Sequence, residues 1–214
     1  MELKYKCWSD ISLGKFSEIE SIVKSDMSEI DKHTYILTIL TESNLKEIEE
    51  LPIAEYSRLI REMDFINHIP KVEIKDEYVI NGKEYVLCTN IQKLTAAQFI
   101  DFQELYKDLE NNKHKILALL LVPKGKKYEE GYDVDKVADE IDQHFSIVDA
   151  NACMLFFSLL YKALTIATLT YSIKQMKKTM RREKNRELKG KMKLAIANAV
   201  ETLHLLKNTD GMLW

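Results

Sequence analysis

Four sets of side chains in this sequence have the types from which catalytic or binding sites are made. The five histidines (His33, His68, His114, His144 and His204) are scattered. None stands in an HExxH pattern or at metal-ligand spacing from another ligand, so they read as surface or capping residues. The three cysteines, Cys7, Cys88 and Cys153, lie beside apolar residues, without metal spacing and without a nearby base to make a thiolate nucleophile. Asp133, Asp135, Asp139, Glu140 and Asp142 cluster, but no Gly occupies the turn position of a calcium loop. The first of them suit a helix start, where the backbone dipole favours carboxylates. Gly125-Lys126-Lys127 lacks the upstream Gly and the following Ser or Thr of a phosphate loop, and no GxSxG occurs. The expectation is therefore a non-enzyme with no catalytic, cofactor or metal residues.

The fourth set is the strongest. Between Lys174 and Lys193 stand ten basic residues: Lys174, Lys177, Lys178, Arg181, Arg182, Lys184, Arg186, Lys189, Lys191 and Lys193. Only Glu183 and Glu187 oppose them, which gives +8 in 20 residues. Residues 1–173 carry −10 and residues 194–214 carry −1, completing the net charge of −3. Such a segment can dock on an acidic protein surface, including the acidic body of a second copy. It can also release counterions from nucleic-acid phosphates, or simply form a solvated helical arm. No aromatic residue interleaves with the charges, so base stacking has no support. Protein docking leads, ahead of the solvated arm and of DNA-backbone contact.

The elements that must position this segment are mostly helices. Hydrophobic residues make up 46% and charged residues 30% of 214, the balance of a soluble globular protein. Six Gly and three Pro leave no long linker. An odd cysteine count argues against a secreted disulfide framework, and MELKYKCWSD lacks the basic-then-apolar order of a signal peptide. A reducing cytoplasm is expected.

Asp10 or Ser12 can cap a helix with Leu13, Phe16, Ile19, Ile22 and Val23 on one face. Ser28 to Asp31 opens a second, with Tyr35, Ile36, Ile39 and Leu40 inward, and Asn44 with Glu47 opens a short third. Pro52 suits the first turn of a fourth, carrying Ile53, Tyr56, Leu59, Ile60 and Met63, which Pro70 ends. Asn81-Gly82, between Tyr78/Ile80 and Tyr85/Leu87, predicts a type I′ β-hairpin, because both central residues must take positive φ. Thr95 and Gln98 form a capping box for a helix over 95–109 with Phe99, Phe102, Leu105, Tyr106 and Leu109 inward; another helix covers 114–121 up to Pro123.

After the polar loop 122–135, Asp133 or Asp135 opens one helix and Ser146 the next. Residues 152–173 are almost wholly apolar or small, long enough for a membrane span, but Lys162 and several Thr dilute them. A helix buried on most faces is expected there, without membrane contact. The last helix should carry Leu194, Ala197, Val200, Leu203 and Leu206, with Trp214 either folded back or inserted in a partner. The fold class is thus mainly α: a helical bundle with one small β-hairpin about one-third of the way along. It divides into a block over 1–122, containing the hairpin near 72–90, and a block over 133–214, or forms one continuous domain.

Three features recur together: W-x-D-I-x-L-x-x-F at Trp8, Asp10, Ile11, Leu13 and Phe16; the start Leu51-Pro52-Ile53 with Tyr56; and the YxINGKxY hairpin followed by LTxxQFIDF. Over about residues 5–110 the chain resembles small helical proteins from the structural-gene modules of tailed bacteriophages, including crAss-like phages. The resemblance implies a tail-assembly chaperone or a virion protein of the neck or tail. Its partners would be other phage structural proteins or further copies in a ring, in the virion or, during assembly, in the host cytoplasm. It supplies no catalytic residue and does not extend to the basic segment.

Overall fold

Short polar side chains start the helices where the capping pattern places them. A computed structural model of the chain describes residues 1–68, 70–88, 95–126 and 131–208. Ser12 accepts the Lys15 N–H at 3.3 Å and opens α1 (Leu13–Lys24). Ser28 accepts the Asp31 N–H at 3.2 Å and opens α2 (Glu29–Thr41). Asn44 and Glu47 bond reciprocally at 3.0 and 3.2 Å around the start of α3 (Leu45–Glu49). Pro52 stands just outside α4 (Ile53–Glu62) rather than in its first turn, and a 3-10 turn over Met63–Asn67 follows. Thr95 and Gln98 form the expected capping box on α5 (Ala96–Tyr106), with bonds of 3.1 and 3.0 Å.

One boundary moves. The helix expected at 114–121 begins earlier, as α6 (Leu109–Leu120), because Asn112 donates to the Leu105 and Asp108 carbonyls at 3.3 and 2.9 Å. Those bonds satisfy backbone acceptors at the junction and let a new helix start at once. Some inward residues differ too: Tyr35 and Ile53 are exposed, while Leu37 takes a core position in α2.

The hairpin forms as expected between β1 (Glu77–Ile80) and β2 (Lys83–Leu87), with Ile80 opposite Lys83. Asn81 and Gly82 have φ of 49° and 72°. Tyr78, Ile80, Tyr85 and Leu87 are buried, and Val79 faces outward. A β-branched residue at Gly82 would be forced out of its preferred backbone region, so Gly82→Val should destabilise by about 1–2 kcal/mol. That corresponds to a fall of roughly 2–8 °C in the melting midpoint, read by circular dichroism.

A third strand, β3 (Leu121–Pro123), pairs antiparallel with β2 and was not expected. It makes β2 the central strand and leaves β1 and β3 at the edges. The end of α6, Ile116–Leu120, is enclosed on all sides: its five consecutive residues are all buried. It packs on α5 and on α7 (Val134–His144), which Asp133 caps through the Lys136 N–H at 3.0 Å.

The motif Trp8–Phe16 is a hub. Trp8 meets Phe16 and Phe65 edge-on and donates from Nε1 to the His68 carbonyl at 2.8 Å. Ile11 is fully buried, and its carbonyl accepts the Ile147 N–H at 2.9 Å, while Leu13 N–H donates to the Phe145 carbonyl at 2.9 Å. The N-terminal segment thereby grips the start of α8 (Ile147–Arg182). Glu42, at the end of α2, accepts from Lys4 at 2.6 Å, from Lys15 at 3.3 Å and from the Tyr5 hydroxyl. These donors, Lys4 first, pull its pKa down from the ordinary 4.5 to about 2. A carboxylate whose folded pKa is depressed stabilises fully above the unfolded value and loses that contribution as the pH falls through the folded one. Glu42→Gln should therefore narrow the difference in melting midpoint between pH 6 and pH 3, measured in parallel titrations.

Two compact units emerge, Met1–Met154 and Leu155–Trp214. The division falls inside α8, not in the polar loop after β3, because α6 and α7 on either side of that loop pack together. The long apolar helix also differs from expectation. Ala152, Cys153 and Met154 are buried, but only 31% of its most apolar 18-residue window is buried, and Leu159 and Tyr171 are exposed. By length and composition it could cross a membrane. However, the stretch from the buried Ser158 to the basic run that starts at Lys174, Leu159–Ile173, is 15 residues and itself contains Lys162. That is shorter than the roughly 20 a span needs.

Candidate functional site

In the second unit the basic segment occupies the end of α8, a three-residue connection, and the start of α9 (Arg186–Asn208). The connection is built, not loose. Glu183 carboxylate accepts the N–H groups of Lys184 and Asn185 at 2.8 and 2.7 Å. Asn185 Oδ1 accepts those of Glu187 and Leu188 at 2.9 and 3.2 Å, capping α9. Short connections between helices favour antiparallel neighbours. The shaded positions fit that geometry: Leu169, Ile173, Met176 and Met180 lie on one stripe of α8, and Met192, Ile196, Ala199 and Leu203 on one stripe of α9. Leu194 and Val200, expected inward, are exposed, because the buried stripe runs through Ile196 instead.

The charges occupy the opposite side. Lys174, Lys177, Lys178, Arg181 and Arg182 repeat at three and four residues, which puts them on one face of α8, and all five are exposed. Lys184 sits in the connection, and Arg186, Lys189, Lys191 and Lys193 follow on α9. Among the described residues only Lys191 of these ten forms an ion pair, with Glu187 at 2.7 Å. In the first unit, by contrast, Lys4, Lys24, Lys75, Lys83 and Lys124 all meet carboxylates. Arg181 and Arg182 suit a helix C-terminus; Arg186 and Lys189 oppose the dipole at a helix N-terminus. Helix stability alone does not account for that placement.

The charge division follows the units. Met1–Met154 holds 19 Lys and Arg against 30 Asp and Glu, a net −11. Leu155–Trp214 holds 12 against 4, a net +8.

The other candidate residues are held apart. No group of three His, Cys, Asp or Glu among the described residues could hold a metal ion. The acidic cluster on α7 is divided among separate contacts: Asp133 caps, Asp142 lies against Gly14 on α1, and Glu140 accepts from the Tyr85 hydroxyl at 2.7 Å and pairs with Lys83. Tyr85 is only 1% exposed, so Glu140 satisfies a buried donor. The sequence offers no local sign of this pair. Asn81 and Gly82 make the turn, and Gly82 faces open space among the described residues. Trp214, with Met212 and Leu213, lies outside the described residues. An open cleft of about 260 Å³ beside α2 is lined by Lys32, His33 and Asp64 with Val23, Ile36 and Met63, without a convergent set of catalytic groups.

Cys153 is buried, and burial pushes its thiol up to about 12, whereas Cys7 is exposed. Native alkylation near neutral pH should label Cys7 at least tenfold faster than Cys153, since the thiolate is the reacting form. Peptide mapping reads the ratio; equal labelling would contradict the burial of Cys153 in α8.

No protein-family model, curated protein or solved structure matches the chain.

Proposed function

We propose that this chain is a non-enzymatic morphogenesis or virion protein of a tailed phage, a component of the neck or tail or one packaged with the particle. It acts through protein–protein contacts made by the basic helix–turn–helix. One observation carries the docking part: nine of ten basic side chains in that element lack an ion pair among the described residues, although the rest of the chain is acidic. Charged partners fixed on an ordered scaffold favour specific association and fast encounter. The phage part rests on the motif resemblance over residues 5–110.

The exposed apolar side chains Leu159, Tyr171 and Leu194 support a second reading, a tail-assembly chaperone that shields an apolar partner and then leaves. The basic face of α8 supports a third, contact with a nucleic-acid backbone. Quantitative mass spectrometry of purified particles from a phage encoding the chain separates the first two. Stoichiometric presence is expected for the virion component. Absence from particles, with recovery from the infected-cell lysate, would favour the chaperone.

A further inference from the structure

We infer that the partner of the basic helix–turn–helix is the acidic first unit of a second copy of this chain, so that copies associate head to tail. This inference rests on the protein-docking reading and adds the identity of the occupant. Charge complementarity carries it: one unit is −11 and the other +8 within the same molecule. Like charges facing each other disfavour the symmetric alternative, in which two basic units meet. Opposite charges favour a contact between unlike units, and such a contact propagates into a ring or an open chain.

The acceptor is the outer face of α7. Asp135 and Asp139 are exposed and neither has an ion pair among the described residues, while Asp142, against Gly14 of α1, stands at the edge of this face. Their spacing of four and three residues matches that of Lys174, Lys178 and Arg181 on α8. Two helices can therefore align two opposite pairs along one line of contact, with Asp142 at its end.

Light scattering on the purified full-length chain tests this. In about 50 mM salt, where screening is weak, the mass should exceed the 25.0 kDa monomer and grow with protein concentration; at about 500 mM it should return to the monomer. Lys178→Glu/Arg181→Glu and Asp135→Lys/Asp139→Lys should each lower self-association at least tenfold with unchanged circular dichroism. Mixing the two variants should restore association with one-to-one stoichiometry. A wild-type monomer at low salt, variants that still associate, or no rescue on mixing would overturn the inference. Salt-sensitive shifting of labelled duplex DNA by a monomeric wild-type chain would overturn it in favour of phosphate contact. These outcomes are independent of particle composition, which tests the phage reading separately.

Discussion

Ile11→Ala should melt about 6–12 °C below the natural chain. The side chain is fully buried, and a buried Ile truncated to Ala costs about 3 kcal/mol through lost burial and the cavity left behind. For a chain of this length each kcal/mol moves the midpoint by roughly 2–4 °C. The position matters twice, because the Ile11 carbonyl holds the Ile147 N–H at the root of α8 and Ser12 bridges Ser146 beside it. Loss of that grip should also raise amide exchange over the first turns of α8. Ile11→Val, one methylene smaller, should cost only about 0.5–1.5 kcal/mol. A melting midpoint unchanged by Ile11→Ala would contradict the placement of residues 11–13 against 145–147.

The second large effect is expected on association and not on folding. Replacing Lys177, Lys178, Arg181 and Arg182 by Gln keeps good helix formers on α8 and removes repulsion between like charges three and four residues apart. The melting midpoint should hold within about 2 °C, because relief of repulsion is offset by losing Arg181 and Arg182 at the helix C-terminus. Association with the partner should weaken at least tenfold, about 1.4 kcal/mol or more, and its remaining salt dependence should flatten. A variant that folds and associates as before would show that the exposed charges only solvate the helix.

What could be read from the sequence was local. Ser12, Ser28, Asn44, Thr95 and Asp133 cap helices because each bonds to a backbone N–H three residues on, within reach of a pattern. Asn81-Gly82 fixes its turn for the same reason. What depends on distant partners was not legible. Leu121–Pro123 looks like a helix tail and becomes a strand only because β2 lies alongside. The sequence points to residues 152–173 for the enclosed helix, but the end of α6 is enclosed instead, because α5, α7 and β3 pack around it. Glu140 finds Tyr85 across 55 residues. Within the basic segment the charges were plain, but not the break at Glu183–Asn185 that turns one run into two helix faces.

Zero-length carbodiimide cross-linking of assembled particles, read by mass spectrometry, tests the docking claim most directly, since it joins a lysine amine to a carboxylate only in contact. Lysines between Lys174 and Lys193 should link to Asp or Glu of another chain, with mixed isotope labelling showing whether that chain is a second copy. Links confined to the same molecule, or none from lysines that react freely in the isolated protein, would contradict docking by this segment.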